Sequence, residues 1–373
     1  MTLALGDDQE ALAAVARRWC EAAVANGARR ERFTRWGEVV GMEWPALEPP
    51  ELAVVLEEVG RAGIGGPLLP TALARAFTKR GGAGSALPDG ATAAVAFAGL
   101  DVVLGASDAE LLVVPRGGGW VVVEAAACTV TPATGVDLGR GIAAVDPSRA
   151  PVLAELDPGV DPLLLAQLLL SAEAVGIAAW CVATAAEHAR NRVQFGRPIG
   201  QFQGVKHRCA DMLARVELAR AAVWDACRGG ARDEERLAIH AAASLAPAIA
   251  VANAKDCIQV LGGIGFTWEH DAHLYLRRAV ATRALLPTAA SSHASLVAVV
   301  RAGTTRSLEV ELPPEADVVR ERREVGRALD VDRQRLRGGQ HAQQLGQRAA
   351  CHHLAVVDDD DAVGQPFGFF HVV

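Results

Sequence analysis

Four long helical patterns follow one another in the second half of this chain, and they restrict the fold more than any other feature. They cover about residues 162–192, 202–229, 233–261 and 270–301. Short loops rich in Gly or Pro separate them, so we expect neighbouring helices to pack antiparallel as a four-helix bundle. Polar Gln167 and Glu173 interrupt the apolar run at 163–186, which predicts a core helix and not a membrane span.

Two smaller parts precede the bundle. Residues 1–86 carry three shorter helical patterns and predict an N-terminal helical domain. Residues 87–150 carry short β-like runs separated by Gly, Pro and Asp, which predict a small antiparallel barrel or sandwich. A proline-rich linker at 151–162 then leads into the bundle domain, residues 151–302. The predicted fold is therefore mostly α with a small central β domain.

Residues 303–373 differ in character from the rest. They are rich in Gln, Arg and His and show no sustained hydrophobic period, which is typical of a poorly ordered tail. A second interpretation rests on the segment LPPEADVVRERREVGRAL, at 312–329. It looks like the opening of a further module that is not completed, as a frame change in the gene would produce; resequencing the gene would test this.

Composition narrows the functional classes. The net charge of −7 argues against broad nucleic-acid binding, which needs a basic surface. The seven cysteines are scattered without a CxxC pair, so we expect reduced thiols in a cytoplasmic protein and no metal site. The acidic N-terminal stretch lacks the basic region of a signal peptide.

Two stretches at the junctions of the long helices carry most of the chemical information. The first, RVQFGRPIGQFQ at 192–203, offers the permanent cation Arg192 and the terminal amide Gln203. The second, QVLGGIGF at 259–266, offers Gln259 and glycines where backbone can approach a ligand closely. Taken singly, an Arg at a helix end is more often a capping or ion-pair residue, and a GGxG run is more often a turn.

Together these stretches resemble the signature of acyl-CoA dehydrogenases. EHARNRVQFGRPIGQFQGVKHRCADML resembles the family's helix-loop-helix segment, ELAVVLEEVGRAGIGGPLLP its N-terminal helix, and CIQVLGGIGFTWEHDAHLYLRRA its last loop and helix. The resemblance covers about residues 7–302 and implies N-terminal helices, a central β domain and a C-terminal four-helix bundle.

The resemblance also implies FAD, held across a subunit interface. Arg192 would pair with the pyrophosphate, Phe195 would pack near the flavin, and Gln203 would hydrogen-bond the adenosine portion. The remaining expected cofactor-binding residues are Gln259, Gly262, Gly263 and Thr288. An acyl-CoA would be the substrate, and an electron-transfer flavoprotein the expected electron acceptor.

The catalytic glutamate of the resembled family is missing here. That carboxylate removes the α-proton of the acyl-CoA and occurs at one of two places in the family. In this sequence those places read Ala166 and Leu286, neither of which can take a proton. Glu173, two turns after Ala166, and Glu269, after the glycine loop, are weak substitutes.

Three functional hypotheses remain open at this point. In the first, the chain is a base-lacking subunit that holds FAD while a related dehydrogenase subunit supplies the glutamate, similar to the short members of actinobacterial heteromeric enzymes of steroid side-chain oxidation. In the second, it is active alone with an unconventional base. In the third, it is a non-catalytic scaffold that has kept the fold and the dimer surface.

Overall fold

A computed structural model describes residues 7–25, 47–157 and 159–306 of the chain. The segment predicted as a tail therefore falls outside the described residues from position 307 onward, and so does the LPPEADVVRERREVGRAL segment. The described α-helices are α1 Asp7–Ala25, α2 Pro49–Ala62, α3 Leu68–Arg80, α4 Pro162–Asn191, α5 Gln203–Cys227, α6 Arg232–Leu261, α7 Ala272–Leu285 and α8 Ala289–Arg301.

The N-terminal helices form as the patterns predict. Proline occupies both of the first two positions of α2, where a missing N–H costs nothing, and Gly63 ends the helix with a left-handed φ of 72°. Arg17 of α1 donates to both carboxylate oxygens of Glu58 in α2, at 3.1 and 2.7 Å, and so joins these two helices.

The β domain contains two small sheets. The strands are β1 Ala93–Val95, β2 Val103–Leu104, β3 Leu111–Arg116, β4 Gly119–Glu124, β5 Thr129–Ala133, β6 Ile142–Asp146 and β7 Ala154–Leu156. One sheet has the order β1-β3-β4-β7 and the other β2-β6-β5. Apolar side chains that include Leu112, Val114, Val121 and Val123 fill a separate core in this domain.

Two details of the β domain differ from the prediction. The β1–β3 pair is parallel, so the domain is not purely antiparallel. Strand β7 lies inside the stretch predicted as a linker and pairs with β4. Its three residues, between flanking prolines, were too few to give a strand pattern, and only the free edge of β4 explains their pairing.

The last of the four helical patterns predicted for the C-terminal domain is not one continuous helix. The last pattern is divided into α7 and α8 by Leu286-Pro287-Thr288. Pro287 disfavours a helical conformation at the residue before it, and Leu286 is extended with φ −97° and ψ 156°. The Thr288 hydroxyl then caps α8 by accepting from the amide of Ser291 at 3.2 Å.

Helices α2 and α4 pack at very close range through two glycines. A Cβ at Gly176 would lie 1.9 Å from the carbonyl oxygen of Glu57, and one at Gly60 would lie 2.2 Å from that of Glu173. Glycine is therefore required at both positions, because the two backbones touch where any larger residue would have its side chain. This contact fixes the N-terminal domain on the bundle.

Two helical stretches, Pro162–Asn191 and Arg232–Phe266, are long and apolar enough to cross a membrane by length and composition. Within their most apolar windows, 78% and 72% of the residues are buried inside the protein. The same burial is typical of the central helices of a bundle, which is the role that both play in this fold.

Candidate functional site

A short β-hairpin follows α4 and carries the first signature. Strands β8 Val193–Gln194 and β9 Arg197–Pro198 pair antiparallel across the two-residue turn Phe195-Gly196. Both turn residues have a left-handed φ, 52° and 76°. A turn with two positive φ values is the type that matches the twist of a hairpin, and here it holds a bulky aromatic residue in a strained conformation.

Phe195 is the most unusual residue of this hairpin. Among the described residues it is the only non-glycine with a positive φ, and its side chain is 93% exposed. Its ring meets the edge of Phe202 at 6.1 Å between centroids, and the guanidinium of Arg197 lies 4.2 Å from the Phe202 centroid. The Phe195 ring thus contacts Phe202 but remains largely exposed to solvent.

Arg192 stands at the base of the hairpin with its side chain exposed. Its amide donates to the carbonyl of His188 at 2.8 Å, and its carbonyl accepts from the amide of Ile199 at 2.8 Å. Within the described part of the chain its side chain forms no ion pair. A cation fixed through its backbone and left unneutralised is suited to hold an anionic group.

The glycine loop follows α6 as a turn of 3₁₀-helix, Gly262–Phe266. Gly262 has a φ of 65°, and a Cβ added at Gly262 or Gly263 would meet no atom within 4 Å. Both glycines therefore border open space, unlike Gly265, where a Cβ would lie 2.7 Å from the carbonyl oxygen of Ile258. Exposed Gln259 lies on the last turn of α6, beside this open backbone.

Electrostatic interactions connect the hairpin to the segment that follows the glycine loop. His270 packs near Trp180 of α4, with 6.2 Å between ring centroids. Partial burial, and then the positive charges of Arg192 and His270, lower the pKa of His188. His188, in the last turn of α4, thus interacts electrostatically with a residue of each segment.

The expected cofactor residues fit a flavin dinucleotide in their chemistry. Arg192 offers a charge for a pyrophosphate, Gln203 and Gln259 offer exposed amides, and the open backbone at Gly262 and Gly263 permits close approach. Thr288 is different, because its hydroxyl oxygen already accepts the capping hydrogen bond of α8. It remains exposed and can still donate one.

The two positions that lack a base lie in the protein interior. Ala166 is fully buried and Leu286 is 6% exposed. Glu173 is also completely buried, and Arg140 of the β domain donates to both of its carboxylate oxygens, with the Nη1–Oε2 distance at 2.8 Å. Glu269 lies on an exposed segment next to Trp268. Glu173 is therefore the counter-ion of a buried arginine.

Sequence reasoning did not identify several buried contacts around this region. Trp180 stacks flat on Tyr275, with 3.6 Å between centroids, and the Tyr275 hydroxyl donates to the carbonyl of Arg61 at 2.7 Å. A second buried ion pair joins Arg278 of α7 to Asp137. A charge inside an apolar helix, such as Glu173, is the one sequence signal that could have indicated a partner of this kind.

A separate cavity of about 520 Å³ lies between α1, α2, α4 and α5, and none of the expected cofactor residues lines it. Its buried carboxylates already have partners, since Arg220 donates to Glu57 at 2.9 Å and Arg17 to Glu58. Burial raises the pKa of Glu57, and Arg220 opposes that shift. Among the described residues, no group of three or more His, Cys, Asp or Glu side chains could hold a metal ion.

Helices at both ends of a small β domain, an exposed arginine on the hairpin after α4 and a glycine loop after α6 are the features that the resemblance to acyl-CoA dehydrogenases implies. The sequence model of the acyl-CoA dehydrogenase C-terminal domain matches residues 162–286. IpdE2, an acyl-CoA dehydrogenase of Mycobacterium tuberculosis, is 37% identical over 256 residues, which cover 64% of this chain and 74% of the relative. The chain therefore belongs to the acyl-CoA dehydrogenase family.

A longer relative shares even more residues with this chain. Acyl-CoA dehydrogenase FadE34 of Mycobacterium tuberculosis is 39% identical over 303 residues, which cover 75% of this chain. The matched region accounts for only 42% of FadE34, so the chain spans less than half of that relative.

Solved structures confirm the predicted fold. A Tcur3481-Tcur3483 steroid acyl-CoA dehydrogenase variant superposes with a TM-score of 0.70 at 21% identity, covering 80% of this chain and 99% of the neighbour. The ChsE4-ChsE5 complex of Mycobacterium tuberculosis gives 0.68 at 20% identity, with 82% and 100% covered. An FAD complex of PigA gives 0.66 at 18% identity, with 82% and 100% covered. FAD is the cofactor that the family indicates.

Proposed function

We propose that this chain is a subunit of an FAD-dependent acyl-CoA dehydrogenase that holds the flavin at a subunit interface while a related partner supplies the catalytic glutamate. The observation that carries the proposal is a contrast within one fold. The anion-binding arginine, the hairpin tip and the glycine loop are exposed, whereas both positions of the base are buried and apolar. We call the exposed arginine, hairpin tip and glycine loop the flavin half-site. Because this half-site has no catalytic glutamate of its own at either position, a second chain would have to supply one.

The residues of this chain would bind and orient, and would not exchange protons with the substrate. Arg192 would neutralise the pyrophosphate, Gln203 and Gln259 would donate amide hydrogen bonds, and Phe195 would cover an aromatic face of the cofactor. The bound flavin accepts the hydride that leaves the β-carbon of an acyl-CoA. The α-proton would go to the partner's carboxylate, because neither Ala166 nor Leu286 can accept it.

Names of the relatives support a heteromeric assembly and a steroid-related substrate. The ChsE4-ChsE5 structure is a complex of two proteins, and the Tcur3481-Tcur3483 enzyme is described as a steroid acyl-CoA dehydrogenase. We extend both properties to this chain as part of the proposal. Electron-transfer flavoprotein is the proposed acceptor, and the cytoplasm the proposed compartment.

Co-expression with the product of a neighbouring dehydrogenase gene tests the assembly. The expected result is a yellow complex that oxidises an acyl-CoA, while the chain purified alone shows no turnover. Comparing a steroid side-chain thioester with a straight-chain thioester in that complex then tests the substrate class. Turnover by the single chain would refute the shared site, and a colourless complex would favour the scaffold hypothesis.

A further inference from the structure

A network of four buried charges lies where the three parts of the protein meet. Arg140 pairs with Glu173 of α4, and Arg278 of α7 donates to Asp137 at 2.9 Å. All four residues are less than a tenth exposed. Arg278 also donates to the carbonyl of Ile64, between α2 and α3, so that the network touches every domain. We call these four residues the junction quartet.

The quartet holds one loop of the β domain in a defined conformation. Asp137 and Arg140 both belong to the loop between β5 and β6, and the amide of Gly139 donates to the Asp137 carboxylate at 2.9 Å. The amide of Gly66 donates to the Gly139 carbonyl at 2.7 Å. A Cβ at Gly65 would lie 2.1 Å from that same oxygen, so the loop and the α2–α3 turn touch directly.

Arg277 links the outer side of the same loop to Trp268, which follows the glycine loop. Arg277, next to Arg278 in α7, donates to the carbonyl of Val136 at 3.3 Å. Its guanidinium also lies 5.2 Å from the ring centroid of Trp268, which is two residues beyond the Gly262–Phe266 turn. Two successive arginines thus hold the loop, one from the interior and one from the surface.

We infer that Glu173 and the other quartet residues are positioning residues for the flavin half-site. They hold the loop between β5 and β6, and Arg277 links that loop to Trp268, just after the glycine loop. The inference rests on the proposed function for the identity of the ligand. It also excludes Glu173 as a base, because this carboxylate is completely buried and both of its oxygens accept hydrogen bonds from Arg140. A buried ion pair adds little net stability compared with an apolar pair of similar volume. In this proposal its role is therefore to orient the loop between β5 and β6.

The test compares three variants in the co-purified complex. Glu173→Gln removes one charge, Arg140→Met with Glu173→Leu replaces the pair by apolar groups, and Glu155→Gln on exposed β7 is the control. Thermal unfolding, flavin affinity and thermolysin cleavage at Val136 and Leu138 are measured for each. Glu173→Gln is expected to lower the unfolding midpoint by about 5–10 °C and to weaken flavin binding by about 2- to 30-fold.

The double variant separates positioning from packing. Its unfolding midpoint is expected to return to near the wild-type value, because an apolar pair can replace a buried ion pair, whereas loop cleavage stays fast and flavin binding stays weak. Recovery of all three properties would overturn the inference. So would a Glu173→Gln complex that keeps its stability and flavin but loses turnover, since Glu173 would then be the base.

A surface variant keeps the inference testable if the interior variants fail to fold. Arg277→Ala removes the link between Val136 and Trp268 without burying an unpaired charge, and exposed Arg283→Ala on the same helix is its control. Flavin binding is expected to weaken with the midpoint unchanged; unaltered binding would overturn the inference. If the wild-type complex itself lacks flavin, the proposed function fails, and loop cleavage and the midpoint still decide whether the quartet holds the loop.

Discussion

Arg192 occupies the point where α4 ends and the hairpin begins, with its backbone held on both sides and its charge exposed. Replacing it by Ala should weaken flavin binding by the complex about 10- to 100-fold, the range for a lost hydrogen bond to a charged group. Flavin titration of the purified complex measures this. Arg190→Ala, an exposed arginine in the last turn of the same helix, is the matched control and should bind as wild type.

Phe195 combines backbone strain with an open aromatic face. Phe195→Gly should leave the free energy of unfolding within about 1 kcal/mol of wild type or raise it, because glycine adopts positive φ without strain. Flavin affinity should fall in the same variant. Chemical denaturation of the chain alone and flavin titration of the complex measure the two effects separately. A large loss of stability would show that the exposed ring has a structural role instead.

At the level of helices, the contact between α2 and α4 depends on glycine. Gly176→Ala should lower the free energy of unfolding by about 1–3 kcal/mol or more, since its Cβ would meet the carbonyl of Glu57 and the helices must separate. Gly204→Ala in α5, where a Cβ meets nothing within 4 Å, is the control and should leave stability unchanged or slightly raised. Equal effects at both positions would contradict the packing argument.

Helix boundaries illustrate what local sequence can predict. The capping signals and periodicity place α1 to α6 within a few residues, because helix ends depend on nearby Pro, Gly and polar residues. Pro287 inside the last pattern predicts a break by the same rules, although the stretch 270–301 was predicted as one helix. Strand β7 was hidden for the opposite reason, since its partner β4 is distant in sequence.

The junction quartet makes the stability of the whole molecule depend on pH in the acidic range. Burial alone would raise the pKa of Asp137, but the charges of Arg278 and Arg140 and two hydrogen bonds outweigh it and bring the pKa below the ordinary 3.8. A lowered carboxyl pKa contributes stability that is complete above the unfolded-state pKa and is lost as the pH falls through the folded-state value.

Asp137→Asn should remove that pH-dependent contribution. The difference in unfolding midpoint between wild type and variant should be largest near neutral pH and should shrink below pH 3.8, where the wild-type carboxyl becomes protonated. Thermal unfolding measured from pH 7 to pH 3 gives this profile. Exposed Asp101→Asn is the control, and a difference between wild type and the Asp137→Asn variant that stays constant with pH would contradict the argument.

Local sequence was sufficient to predict the order of the helical and β parts, to locate the RVQFGRPIGQFQ and QVLGGIGF stretches, and to show the lack of a glutamate at Ala166 and Leu286. Periodicity, turn residues and residue identity are enough to recognise such features. The role of Glu173 depended instead on the folded molecule, since this residue looked like a weak substitute base and proved to be the partner of Arg140. Arg140 and Glu173 are 33 residues apart in sequence, so their pairing depends on how the β domain packs on α4. This packing buries both charges, and a buried charge is costly unless it has a partner of opposite sign.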